Sequence, residues 1–110
     1  MRKLVLDEIS AQDMERIRDY LNSNAVPSEI EDLYWVELTG DLLDERQSVH
    51  HACQPYRFAV ELTPDAVHLE MLIRSRTTLL CDCIRYASPV QVQFILRFAD
   101  RLVEACKVRT

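Results

Sequence analysis

The residues best suited to chemistry in this chain are a histidine and three cysteines gathered into two short clips. His50 and Cys53 stand three apart, and Cys81 and Cys83 flank Asp82. On a helix, positions three apart project from one face. On a strand, positions two apart share a side. Either arrangement turns its donors toward a common point. Three thiolates and an imidazole suit a tetrahedral zinc ion, which takes sulfur and nitrogen ligands. The spacing argues in the other direction. Structural zinc sites usually show two C-x₂₋₄-C or H-x₃₋₅-H clips, and here one clip is only C-x-C. Free cysteine is also among the most buried residue types, so Cys53, Cys81 and Cys83 serve equally well as small core side chains. The composition asks for no metal or cofactor, and none is favoured at this level.

A second group is Glu61, His68 and Glu70. A tight turn at Thr63-Pro64-Asp65-Ala66 joins two alternating stretches and sets Glu61 opposite His68. A carboxylate beside an imidazole favours its protonated form, and acid–base catalysis from this face follows as one reading. On the same stretch Val67, Leu69, Met71 and Ile73 point to the core, so His68, Glu70 and Arg74 point away from it. The outer face of an antiparallel sheet is normally solvated, which makes these residues equally natural as a polar surface. Arg74, Arg76 and Arg85 give the next turn a mildly basic tip.

Trp35, the single tryptophan, shares a strand face with Glu37, opposite Tyr34, Val36 and Leu38. On an outer face it is an interface candidate, since half-buried aromatics are enriched at contact hot spots. Packed inward, it is core, and the sequence leans to that reading.

Several function classes fall away. The chain has one glycine, Gly40. Phosphate-cradling loops and nucleophile elbows need several glycines, so neither is present. The formal charge is −5, and it is uneven. Residues 1–55 hold twelve acids and five bases, whereas residues 56–110 hold six acids and eight bases. With no Lys/Arg run, an acidic chain repels a phosphate backbone, so nucleic acid is not an expected partner. No apolar run reaches the length of a membrane span, and nothing near Met1 reads as a signal peptide. The expectation is a cytoplasmic protein with reduced thiols.

The elements that position these groups read as one α+β domain over residues 1–110. Ser10 caps a helix over residues 11–22, with Ile9 and Met14 as its hydrophobic staple. Strands fall near residues 3–7 and 33–38, and a short helix near residues 41–53. An antiparallel meander follows at about 56–62, 66–74 and 78–86. Ser88-Pro89-Val90-Gln91 opens a C-terminal helix over residues 89–107, with serine at the N-cap, proline at N1 and glutamine at N3. Its apolar face is Phe94, Ile95, Phe98, Leu102, Val103 and Cys106. The predicted architecture is a two-layer sandwich of sheet and helices. The register of residues 78–86 stays open. A two-residue turn at Ser75-Arg76 carries both cysteines to the outer face, and a three-residue loop carries them inward. Asp82 facing water favours the inward choice.

From these residues the preferred function is a non-enzymatic interaction or accessory domain, acting as a homodimer or with another protein. A Cys/His metal-binding or redox module and a small acid–base enzyme are the alternatives.

Overall fold

Residues 1–110 are described by a computed structural model. Its elements are β1 (Lys3–Leu6), α1 (Ala11–Asn24), β2 (Val26–Pro27), β3 (Leu33–Glu37), α2 (Glu45–Val49), β4 (Tyr56–Leu62), β5 (Val67–Glu70), β6 (Leu72–Ser75), β7 (Arg85–Tyr86) and α3 (Pro89–Cys106). Short 3₁₀ turns at Gly40–Leu42 and His51–Cys53 flank α2. The fold is α+β: an antiparallel seven-stranded sheet with an N-terminal and a C-terminal helix. No helix is long and apolar enough to cross a membrane.

The helices form for the reasons their caps suggest. Ser10 Oγ accepts from the Asp13 amide, which satisfies one of the amides that a helix start leaves free. α1 then buries Met14, Ile17 and Leu21 at helical spacing. At α3, Ser88 and Gln91 close a reciprocal capping box, and Ile95, Ala99, Leu102 and Cys106 turn inward. Lys107 ends α3 in the left-handed conformation. Phe58 of β4 meets Phe94 and Phe98 of α3 edge to face, at 6.2 and 6.0 Å between ring centres. These contacts and the buried residues of α1 place the core between the helices and one face of the sheet.

The strand order runs β1-β5-β4-β3-β2. The hairpin register is the expected one, with Glu61 opposite His68 and Leu62 opposite Val67. The stretch expected as one strand over 66–74 is divided at Met71. Its first half, β5, lies between β1 and β4, and its second half, β6, between β4 and β7. The two residues between Arg57 and Val60 on β4 oppose the four between Leu69 and Arg74, a bulge that bends the strand. Met71 spends its backbone groups outside the hairpin: its amide donates to Arg2 and its carbonyl accepts from Ala87.

Two expectations need correction. The third strand, predicted over 78–86, is reduced to Arg85–Tyr86. From Ser75 to Leu80, side chains take over the backbone. Ser75 Oγ accepts from the Thr77 and Thr78 amides, and Thr78 Oγ1 accepts from Leu80. Such local bonds compete directly with ladder pairing. The helix predicted over 41–53 is broken into a 3₁₀ turn, five residues of α2 and a second 3₁₀ turn. Asp44 stops it from being continuous by acting as N-cap for α2, in a capping box with Gln47.

Candidate metal centre

These corrections decide where the donors lie. His50 is the C-cap of α2, and Cys53 ends the 3₁₀ turn that follows. Cys81 and Cys83 sit on the loop between β6 and β7, in a turn closed by the Ile84 amide donating to Cys81. No strand carries them, so neither sequence-level register applies. The inward preference holds for Cys83, which is fully buried, while Cys81 is half-buried and Asp82 exposed.

All four side chains converge. One ligand atom from each of His50, Cys53, Cys81 and Cys83 lies within 4.8 Å of the others, and together they can hold a metal ion. His50 Nδ1 is 3.3 Å from Cys81 Sγ and 4.0 Å from Cys53 Sγ. Zinc–sulfur bonds of about 2.3 Å and zinc–nitrogen bonds of about 2.05 Å, opened at the tetrahedral angle, put sulfur about 3.6 Å from nitrogen and about 3.8 Å from a second sulfur. The two observed nitrogen–sulfur spacings bracket the nitrogen–sulfur edge.

The surroundings fix the clips in place. Ser75 Oγ donates to the Cys53 carbonyl, and Thr77 Oγ1 donates to the Ala52 carbonyl at 2.7 Å. On the opposite side, Gln47 Nε2 donates to the Cys83 carbonyl at 3.2 Å. Arg46 forks onto Asp82, the residue between the two cysteines, with Nη2 at 2.6 and 2.7 Å from its two oxygens. Arg46 thereby holds the Asp82 carboxyl below its usual range.

Gln47 is itself fully buried, and so is Gln91. Gln91 Nε2 donates to Gln47 Oε1 at 2.8 Å and to the Leu42 carbonyl at 2.9 Å. The capping boxes of α2 and α3 are therefore wired to each other, and the chain of bonds ends on a cysteine of the cluster. The sequence reading placed Gln91 as a cap but missed Gln47. The Asp44-x-x-Gln47 spacing was the signal that could have found it.

The thiols sense one another. The Cys83 amide points at the Cys81 sulfur and, with the Cys83 and Cys53 thiols, pulls Cys81 below its ordinary value. Cys53 is pushed up to about 11, first by loss of solvent and then by its hydrogen bonds to Cys83 and Cys81. Cys53 thus resists ionising beside its neighbours, and a divalent cation removes that conflict. Cys106 lies elsewhere, buried in α3 with its Sγ donating to the Arg16 carbonyl.

The other candidates are not gathered in this way. His68 lies on the outer sheet face between Val5 and Glu61 in register, with its Nδ1 buried and unpartnered. Glu61 is exposed, and Glu70 is paired to Arg74 at 3.1 Å. None of the three lines any of the molecule's three clefts. Trp35 is also on the outer face, half-buried, with the Arg57 guanidinium 3.7 Å above its ring. The lean toward a core tryptophan is corrected: Tyr34 and Val36 fill the inner positions on either side of it.

Comparison with family models, with curated proteins and with solved structures finds no match for this chain.

Proposed function

We propose that this protein is a zinc-binding domain in which the ion is structural, held by His50 Nδ1 and the sulfurs of Cys53, Cys81 and Cys83. The observation that carries this reading is the convergence of four donors to within 4.8 Å of one another, from two chain segments about 30 residues apart. A set of one nitrogen and three sulfurs is soft enough to prefer zinc over magnesium or calcium. Four protein ligands fill a tetrahedron and leave no open position for substrate, which is the pattern of a structural rather than a catalytic site. Arg46, Asp82 and Gln47 act as the outer layer that orients the cysteine clip.

The test is reconstitution under reducing conditions followed by elemental analysis. One zinc per chain is expected, and cobalt in its place should give the thiolate charge-transfer absorption of a tetrahedral site. Cys81→Ser and Cys83→Ser should each weaken binding at least tenfold. Failure to retain stoichiometric zinc, or variants that bind as tightly as the parent, would sink the proposal.

A second reading concerns what the ordered loop displays. Leu79 and Leu80, directly before Cys81, are 88% and 91% exposed, and Val49, directly before His50, is 64% exposed. Apolar side chains held in water at the rim of a metal centre suit a protein contact, in keeping with an accessory domain that forms a homodimer. Sedimentation with and without zinc tests this. A metal-dependent dimer abolished by Leu79→Ser/Leu80→Ser supports it, and a monomer under both conditions excludes self-association.

A further inference from the structure

A separate feature sits at the opposite edge strand of the sheet order from β1. β2 is only two residues long and pairs Val26 with Trp35 and Pro27 with Tyr34. Beyond it, no strand continues along the outer edge of β3 beside Val36 and Glu37. Across this gap the end of α1 faces the middle of α3, and a cleft of about 490 Å³ remains. Its volume falls within the range of small-molecule sites, roughly 300–1,000 Å³.

The lining is of two kinds. Tyr20, Phe94 and Phe98 give it aromatic walls, and Trp35 borders it from the edge of β3. Tyr20 and Phe98 brace each other edge to face at 6.3 Å, and Phe58 supports both phenylalanines from beneath. The polar contribution is cationic. Arg97 and Arg101 line the same cleft, one turn apart on α3. Residues 94, 97, 98 and 101 form a single helical stripe beside the buried one. Both arginines are exposed, and neither takes part in the chain's seven ion pairs. The carboxylate at the rim, Glu37, is already engaged by Arg76 at 3.7 Å. In a chain of net charge −5, two adjacent unpaired guanidinium groups over an aromatic floor stand out.

We propose that this cleft binds a small amphipathic carboxylic acid. Its apolar body lies against Tyr20, Phe94 and Phe98, and its carboxylate is held by Arg97 and Arg101. A guanidinium matches a carboxylate with two parallel hydrogen bonds, and the aromatic rings remove the body of the ligand from water. The site shares no residue with the metal cluster and stands or falls independently of it.

Titration of the intact protein with 4-phenylbutyrate, followed by isothermal titration calorimetry, tests the assignment. Saturable binding is expected, at least tenfold tighter than that of 4-phenylbutan-1-ol, which keeps the apolar body and lacks the charge. Inorganic phosphate, which keeps charge and lacks the body, should compete poorly. Arg97→Gln/Arg101→Gln lies on exposed positions and should leave the circular dichroism unchanged while erasing the preference for the acid. Equal binding of acid and alcohol, effective competition by phosphate, a preference that survives in the double variant, or no saturable signal at all would each overturn it.

Discussion

Gln47 shows how much one side chain can hold in this protein. It is wholly buried, yet its oxygen accepts from the Asp44 amide and from Gln91, and its nitrogen donates to the Cys83 carbonyl. Replacing it by leucine keeps the volume and strands all three partners away from water. The cost of an unsatisfied buried group is about 1–3 kcal/mol, so Gln47→Leu should destabilise the fold by about 2–4 kcal/mol in urea unfolding. Gln47→Glu retains the acceptor for Gln91 but removes the donor to Cys83. It should weaken zinc binding more than it lowers stability measured with the metal removed, since its main loss lies at the cysteine clip. At this scale the sequence was informative about identity and silent about meeting. The donors His50, Cys53, Cys81 and Cys83 were recognisable as a set, but whether they converge depends on backbone that no local pattern specifies.

Among the elements, α3 was the most legible because its start is over-determined. Ser88, Pro89 and Gln91 each favour the same boundary, and the apolar face behind them is continuous. Ser88→Ala removes the cap that accepts from Gln91, and should cost about 1 kcal/mol, visible as a lower thermal midpoint and faster amide exchange in the first turn of α3. The hairpin of β4 and β5 was equally readable, since alternation and a proline turn agree. The loop from Thr77 to Ile84 was not. Its composition, Thr-Thr-Leu-Leu-Cys-Asp-Cys-Ile, has the β-branched and apolar character of a strand. What prevents pairing is a set of hydroxyl bonds from Ser75, Thr77 and Thr78, together with the ties from Arg46 to Asp82 and Gln47 to Cys83. Most of the hydroxyl bonds act within a few residues, but Thr77 reaches Ala52, 25 residues away, and the two ties come from a segment 36 residues away. That part of the answer is tertiary.

For the molecule as a whole, the proposed ion joins two regions that the sheet leaves loosely connected. α2 and its flanking turns pack beside the loop before β7 through side chains rather than through a ladder. Zinc should therefore act on a defined region. Hydrogen exchange is expected to slow on metal addition at residues 45–54 and 76–84, with little change in β4, β5 or the second half of α3. Uniform slowing across the chain would instead mean that the ion stabilises global folding, and no change would argue against ordered coordination.

The direct bond between Gln91 and Gln47 has one more consequence. Because the first turn of the C-terminal helix and the cysteine turn share a single unbroken run of polar contacts, neither can shift without disturbing the other. A loosened thiol cluster would be felt as fraying at Ser88, well along the chain from Cys53. An aromatic wall that begins one turn later, at Phe94, would feel the same disturbance only after that first turn had given way.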